Sequence, residues 1–162
     1  MPTETDPATR GRKPKRAPPL RQAPNAIALL RAAHTELQQM FTAFENTRSV
    51  NNKRFLVQRI CTTVALHSQV KEEVFYPAIE AVLRRSRPEH GSMKALVTHI
   101  RSLEPVAEQV DGPIKMLAEH VNQHVSDLHD DMFPQVNASD IDLVELGDRM
   151  ARRKAELIAQ EA

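Results

Sequence analysis

Several residue types that would point to other protein classes are scarce in this chain. It has four glycines and 4% aromatic residues among 162 residues, which favours helices over β-sheet. A single cysteine, Cys61, excludes an internal disulfide framework and fits a reducing compartment. No run of about 18 apolar residues is present to span a membrane, and the N-terminus lacks the apolar core of a secretory signal. We therefore expect a soluble, cytoplasmic, mainly helical protein with one folded domain.

The first 24 residues differ in composition from the rest of the chain. They contain six of the eleven prolines and carry a net charge of +4, whereas the whole chain carries +1. Since proline disrupts helices and few apolar groups are available for packing, residues 1–24 are predicted to be a disordered basic tail. Residues 25–162 are predicted to form the folded domain. The stretch RGRKPKR suits either a weak contact with a nucleic-acid backbone or a solubilising role.

The remaining prolines divide the folded part into segments that each show helical periodicity. Because proline is tolerated at a helix start and ends or kinks a helix elsewhere, each is interpreted as a boundary. Ser139 is a favourable N-cap residue, and we expect it to open the last helix. The predicted helices span roughly residues 25–46, 52–76, 88–104, 113–133 and 139–160.

Each of the first four predicted helices carries a histidine within its apolar stripe. In the first, Leu30, His34 and Leu37 follow the three-to-four spacing of one helix face. A single buried imidazole is ordinarily satisfied by a backbone carbonyl or a water, but four of them, one per helix, call for a shared partner. Neutral imidazole is the commonest metal ligand in proteins, so a metal ion is the simplest partner. The four histidines are His34, His67, His90 and His124.

Two stretches of the chain share one outline: HSQVKEEVFYP at residues 67–77 and HVSDLHDDMFP at residues 124–134. Each begins with a histidine and ends with an aromatic residue and a proline. His34 and His67 are 33 residues apart, and His90 and His124 are 34 residues apart. These spacings predict two similar helical hairpins, which pack as an all-α, antiparallel four-helix bundle with converging histidines. A C-terminal fifth helix is expected to pack against it through Ile141, Leu143, Leu146 and Met150.

The helical segments resemble the hemerythrin-like (HHE cation-binding) domain of the bacterial cytoplasmic type. The resemblance covers about residues 25–160 and implies a bundle that binds non-haem iron, often as a pair of ions. It also implies an association with oxygen binding, with iron or redox sensing, and with stress responses. The stretches that carry it are ALLRAAHTELQQMFTAFE, HSQVKEEVFYPAIE, RPEHGSMKALVTHIRSLEP, HVNQHVSDLHDDMFPQV and SDIDLVELGDRMARRKAELIA.

Two positions depart from the pattern that this resemblance implies. The family places a carboxylate four residues after the second-helix histidine, where this chain has Lys71, and an acid five residues after the fourth-helix histidine, where it has His129. A protonated lysine offers no lone pair to a metal and adds positive charge. At about 100° per residue, the two glutamates after Lys71 point away from the face of His67. An intact di-iron centre of the oxygen-carrier type is therefore not expected.

The sequence is compatible with two models of the site. In the first, three to five imidazoles bind one divalent ion, either iron or another metal such as zinc, with a second iron as the less favoured variant. In the second, the ammonium group of Lys71 takes the place of the ion, and the bundle holds no metal. The candidate ligands of the first model are His34, His67, His90, His124 and His129.

The leading function from the sequence is a metal-binding protein that senses or buffers iron, oxygen or redox state, with the metal ion and O₂ as its ligands. The alternative is a metal-free scaffold or regulator whose basic tail contacts nucleic acid. An oxidase or peroxidase is disfavoured, because activation of O₂ by two irons needs the carboxylates that this chain lacks. No catalytic residue is assigned, and an enzymatic activity is not expected.

Overall fold

The computed structural model describes residues 25–83, 91–103 and 107–161, and every regular element in these ranges is helical. The predicted tail of residues 1–24 lies outside the described residues, and so does His90. The elements are α1 (Ala26–Asn46), α2 (Val50–Val70), a first π-helical turn (Lys71–Phe75), α3 (Tyr76–Leu83), α4 (Gly91–Ser102), α5 (Ala107–Asp127), a second π-helical turn (Leu128–Met132), α6 (Phe133–Asn137) and α7 (Leu143–Glu161).

The helices form a four-helix bundle with a fifth helix packed against its side. Helix α1 packs against α2 and α5, and α4 packs against the same two helices. Helix α2 continues through the first π-helical turn into α3, and α5 continues through the second into α6. Helix α7 contacts α1, α2 and the first π-helical turn. The predicted all-α bundle with a C-terminal helix is therefore confirmed. In the described part of the chain, no helix has the length and apolar character needed to cross a membrane.

The buried apolar side chains form two separate clusters. The first, which we call the α7-side cluster, includes Ile27, Leu30, Val70, Phe75, Leu128, Phe133, Val136, Leu146 and Met150. The second, which we call the distal cluster, includes Leu37, Phe41, Phe44, Ile60, Val64, Met93, Val97, Leu117 and Val121. Burial of these side chains is the main favourable contribution to folding, and each helix contributes one stripe to it.

The histidines lie where their helices pass from one cluster to the other. His34, His67 and His124 each follow residues of one cluster and precede residues of the other along the chain. The change of cluster occurs between Leu30 and Leu37 in α1, between Val64 and Val70 in α2, and between Val121 and Leu128 at the end of α5. We use the name histidine layer for His34, His67, His124 and the neighbouring His129.

The predicted helix ends at Pro77 and Pro134 are wrong, because both helices continue past their prolines through α3 and α6. A π-helical turn precedes each proline, and in the first the N–H of Tyr76 donates to the carbonyl of Lys71, five residues back. The second turn contains the equivalent bond. In a regular α-helix the proline ring clashes with the carbonyl four residues back. The wider π-helical turn displaces those carbonyls, so the helix can pass the proline.

Two further boundaries differ from the prediction. Pro113 lies inside α5 instead of at its start, so it interrupts one α-helical hydrogen bond without ending the helix. The last helix is capped by Asp142, whose carboxylate accepts a hydrogen bond of 3.0 Å from the N–H of Glu145. Ser139 does not start it, because the Ser139 hydroxyl donates to the carbonyl of Val136 at 2.6 Å and so helps to end α6.

As predicted, α7 packs on the bundle through Leu146 and Met150, with Ile141 and Leu143 beside them. Leu146 is 2% exposed, whereas Val144 on the same helix is 44% exposed. Leu146→Ala should therefore lower the free energy of unfolding by about 2–5 kcal/mol, because it leaves a cavity in the α7-side cluster. Val144→Ala should change it by less than about 0.5 kcal/mol. Urea denaturation of both variants measures the difference, and equal effects would contradict this packing of α7.

Candidate metal centre

The imidazole of His34 lies close to two other imidazoles, each from a different element. His34 of α1 is 4% exposed, and its ring lies 5.1 Å from that of His67 in α2 and 5.8 Å from that of His129, measured between centroids. The ring of His129 also packs against Phe133 at 4.9 Å. The structure thus places three of the five predicted ligands in one group around His34. His90, the predicted ligand of the third helix, lies outside the described residues.

A small cavity separates the side chains of α1, α2 and α5 at the histidine layer. Its volume is about 10 Å³, which is the space that one water molecule or one ion needs. His34, His67 and His124 line it together with Lys71, and the rest of the wall is mostly apolar. The predicted convergence on one cavity therefore holds for these three histidines, and Lys71 shares the cavity with them.

Four buried nitrogen atoms of the histidine layer have no hydrogen-bond partner among the described residues. They are Nδ1 and Nε2 of His34, Nε2 of His67 and Nε2 of His129. A buried polar atom without a partner costs roughly 1–3 kcal/mol, so a set of four is costly for a small domain. A bound cation would use the lone pairs of such nitrogens, and this is the strongest structural sign of a ligand at the layer.

Burial keeps the imidazoles of His34 and His67 in their neutral form. It lowers the pKa of His34 to about 3, with smaller contributions from the positive charges of Lys71 and His129. Burial is also the main cause that lowers the pKa of His67, and Lys71 again adds to the effect. A neutral imidazole keeps a lone pair free for a metal, whereas an imidazolium has none. Near neutral pH both rings are therefore in the state that a cation requires.

Lys71 is buried inside the histidine layer and does not extend to solvent. Its side chain is 2% exposed, so the amine does not reach water past the rim of the site, as long lysine side chains often do. Burial lowers the pKa of Lys71 to about 7, although the nearby carboxylate of Glu72 opposes this shift. Near neutral pH, then, protonated and neutral forms of this amine are both populated.

The second π-helical turn is what turns His129 toward His34. In a regular α-helix, a residue five positions after His124 would point about 140° away from it. In a π-helical turn each hydrogen bond joins residues five positions apart. The residue five positions after His124 therefore returns toward the helix face on which His124 lies.

Glu72 is the equivalent of His129 in the first π-helical turn, because each follows the histidine of its repeat by five residues. We predicted Glu72 on a solvated face that points away from His67, and this prediction is wrong in part. The side chain is 27% exposed, and its carboxylate accepts a hydrogen bond of 2.7 Å from Nζ of Lys94. Its charge also acts on Lys71 and Tyr76. Glu73, the next residue, is exposed as predicted and pairs with Arg153.

Tyr76 also belongs to the site, although in the sequence it is only the aromatic residue before Pro77. It is 2% exposed, and its hydroxyl oxygen lies 3.2 Å from Nε2 of His124, at hydrogen-bond distance. Burial, with a further contribution from Glu72, raises the pKa of Tyr76, so the phenol stays protonated. This bond fixes the ring of His124 and sets it apart from the three histidines with unpaired nitrogens. The signal in the sequence was the aromatic residue directly before Pro77.

The imidazoles of the histidine layer are possible ligands for a cation. Within residues 25–83, 91–103 and 107–161, no three His, Cys, Asp or Glu side chains already surround one point at metal-binding distance. The neutral imidazoles and their unpaired nitrogens nevertheless fit a divalent ion such as iron or zinc. Lys71 and His129 occupy the positions where the family resemblance implies carboxylates, so neither position adds negative charge to the layer.

Known proteins are similar to this chain over most of the bundle. The family model described as "Hemerythrin HHE cation binding domain" matches residues 25–136. A curated relative, the "DNA nickase" of Nostoc sp., is 22% identical over 121 residues, which cover 72% of this chain and 34% of the relative. The chain thus spans about a third of the length of that relative. No solved structure matches the chain significantly. Helix α7 lies beyond the residues that the family model matches.

The lowered pKa of Lys71 predicts an unusual dependence of stability on pH. Between about pH 7 and pH 10 the unfolded chain holds a proton on Lys71 that the folded chain has lost. The free energy of unfolding should therefore rise by about 1.4 kcal/mol per pH unit over this range from this group alone. Below about pH 7 both states are protonated, and the cost of burying the ammonium group stays constant.

Denaturant titrations at several pH values measure this contribution as a difference between wild type and Lys71→Met. The stability of wild type relative to Lys71→Met should rise from pH 7 to pH 9.5. Lys115→Met is the matched control, because Lys115 is exposed and does not line the histidine cavity, so its difference should hardly change with pH. A difference for Lys71→Met that is equally flat would show that the amine is not held in the layer.

Proposed function

Because the chain belongs to the hemerythrin HHE cation-binding domain family, we propose that it binds one divalent cation, with non-haem iron preferred, through imidazoles of the histidine layer. The observation that carries this proposal is the group of four buried ring nitrogens that lack hydrogen-bond partners. A cation would bind one nitrogen of each of these rings, since imidazole nitrogen is a good ligand for iron and zinc, and the N–H on the other nitrogen of His34 would still need an acceptor.

His34, His67 and His129 are the proposed ligands with unpaired nitrogens. His124 is a further candidate, and it would have to exchange its bond with Tyr76 for a bond to the ion. His90 is proposed as the ligand from the third bundle helix, on the basis of its place in the sequence repeat. Bound iron would supply a redox-active ion inside an apolar shell that limits access of water.

Lys71 is proposed to limit the site to one ion. Lys71 lines the same cavity as His34 and His67, so a protonated Lys71 would repel a cation there. Loss of its proton, which its low pKa makes easy, removes this repulsion when one ion binds. A second divalent ion would need bridging carboxylates, and the positions that the family resemblance assigns to them hold Lys71 and His129.

These ligands suit a protein that senses or buffers a metal ion better than an enzyme that catalyses a reaction at it. Neutral imidazoles and one lysine can hold an ion, but the described part of the layer offers no carboxylate that could take up protons beside it. We therefore propose that the chain responds to iron, oxygen or redox state through occupancy of the site. Occupancy would act on the protein by filling the gap between the α7-side cluster and the distal cluster.

Iron content of the protein tests the proposed site. Full-length protein purified without a polyhistidine tag and loaded anaerobically with ferrous iron should hold about one iron per chain. At about one hundred times its Kd, iron should raise the free energy of unfolding by about 2.7 kcal/mol. His34→Ala should lose most of the bound iron and this stabilisation. His120→Ala is the control, because His120 is exposed and should leave both unchanged.

The double variant Lys71→Glu, His129→Asp tests the stoichiometry. Its two new carboxylates should allow iron content to rise toward about two per chain, with the ultraviolet–visible bands of an oxo-bridged pair. Lys71→Glu alone should show a smaller rise. Two irons in wild type would contradict the proposed limit, and no iron in any variant would contradict the metal site itself.

A second candidate function is a metal-free regulator whose basic segment contacts nucleic acid. Two observations favour it: Lys71 already places a cationic group in the histidine cavity, and one relative is named a DNA nickase. In this case residues 10–16, RGRKPKR, would contact phosphates, and the bundle would act as a scaffold.

Salt-dependent DNA binding by the full-length chain tests this second function. Replacement of four basic residues by Gln should weaken binding and flatten its dependence on salt, because fewer counterions are then released. These residues are Arg12, Lys13, Lys15 and Arg16. The control replaces an equal number of exposed basic residues of the bundle by Gln, namely Arg48, Lys115, Arg149 and Arg152. Equal losses in the two variants would contradict a specific role of residues 10–16.

A further inference from the structure

A cleft separate from the histidine cavity lies between the bundle and α7. Its volume is about 300 Å³, and α1, α2 and α7 provide its walls. Most of the wall is apolar, and small side chains on facing helices leave the space open. Representative lining residues are Leu30, Ala33, Val70, Ala151, Ala155 and Ile158. A cavity of 150 Å³ already accommodates benzene, so this cleft has room for a chain of about eight carbon atoms.

Part of the cleft wall lies outside the residues that the family model matches. One whole wall comes from α7, which follows the residues 25–136 that the family model matches. Ile158 on this wall is 51% exposed, an unusually open position for a large apolar side chain beside a cleft. A ligand that lies in the cleft would cover it.

The charged side chains at the cleft favour an anionic ligand. Lys154 of α7 lines the cleft and is exposed, so its ammonium group lies at the solvent side. Glu36 also lines the cleft, but Arg59 pairs with its carboxylate at 3.7 Å. Lys154 is also near enough to lower the pKa of His67. Among the described residues, the side chains at the opening of the cleft therefore carry one unpaired positive charge, that of Lys154, and the interior of the cleft is apolar.

We propose that the cleft binds a medium-chain monocarboxylate, with the carboxylate at Lys154 and the hydrocarbon chain among the apolar side chains of α1, α2 and α7. Apolar walls with one placed cation are the usual design of a site for such an amphipathic molecule. Because His67 lines both this cleft and the histidine cavity, the bound chain would contact one imidazole of the histidine layer. The proposal does not require a bound metal ion.

Calorimetric titration of metal-free, full-length protein with octanoate tests the proposal. Affinity should rise from butanoate to hexanoate to octanoate, by up to about fourfold for each added methylene. Lys154→Gln should weaken octanoate binding by about tenfold and change octanol binding by less than about twofold. Arg152→Gln, an exposed change on the same helix that does not line the cleft, should have no effect.

A second pair of variants tests the location. Ala151→Leu should fill the cleft and abolish octanoate binding, whereas Ala159→Leu, which is exposed on α7 and outside the cleft, should bind as wild type. In nuclear magnetic resonance spectra, octanoate should shift the ring signals of His67 and leave those of His99 unchanged.

Three results would overturn the proposal. One is the absence of saturable octanoate binding to a folded wild type. Another is equal binding of octanoate and octanol with no effect of Lys154→Gln, which would remove the role of the charge. The third is a dimer that Ala151→Leu dissociates and octanoate does not affect, which would identify the cleft as an interface between two copies of this chain.

Discussion

A layer of imidazoles and one lysine in the middle of an apolar core is the constraint on which the rest of this structure depends. His34 and Lys71 are almost fully buried, and four ring nitrogens have no partner among the described residues. Such groups oppose folding, so the two apolar clusters on either side must supply the packing that holds the layer. Helix α7 contributes to one of these clusters, and it therefore stabilises the layer although it lies outside the matched family region.

The two π-helical turns supply the geometry of the layer. Each begins four residues after a histidine and ends two residues before a proline, so the same irregularity appears in both halves of the repeat. It lets the helix pass the proline in both halves, and in the second half it turns His129 toward His34. Different residues use the equivalent position: Glu72 in the first half and His129 in the second. The two halves of the repeat therefore have the same backbone irregularity but differ in the charge of their side chains.

This difference in charge decides what the layer can hold. Lys71 brings a cationic group into the cavity, and the nearest carboxylate, that of Glu72, is partly engaged by Lys94. The proposal of a single ion rests on these charges, because two adjacent divalent ions would need carboxylates beside them. His67 also connects the layer to the cleft under α7, so a molecule in that cleft would contact one of the imidazoles proposed as metal ligands.

The sequence by itself determined the helical class, the number of bundle helices and the burial of His34, because these depend on periodicity along one chain. It did not determine the paths of the helices through Pro77 and Pro134, since a π-helical turn has no periodic signature of its own. The side-chain directions of Glu72 and His129 depend on those turns, and so they too were set by the tertiary structure. The bond between Tyr76 and His124 and the depth of Lys71 arise only when separate helices meet, because burial and partners come from neighbours that are distant in the sequence.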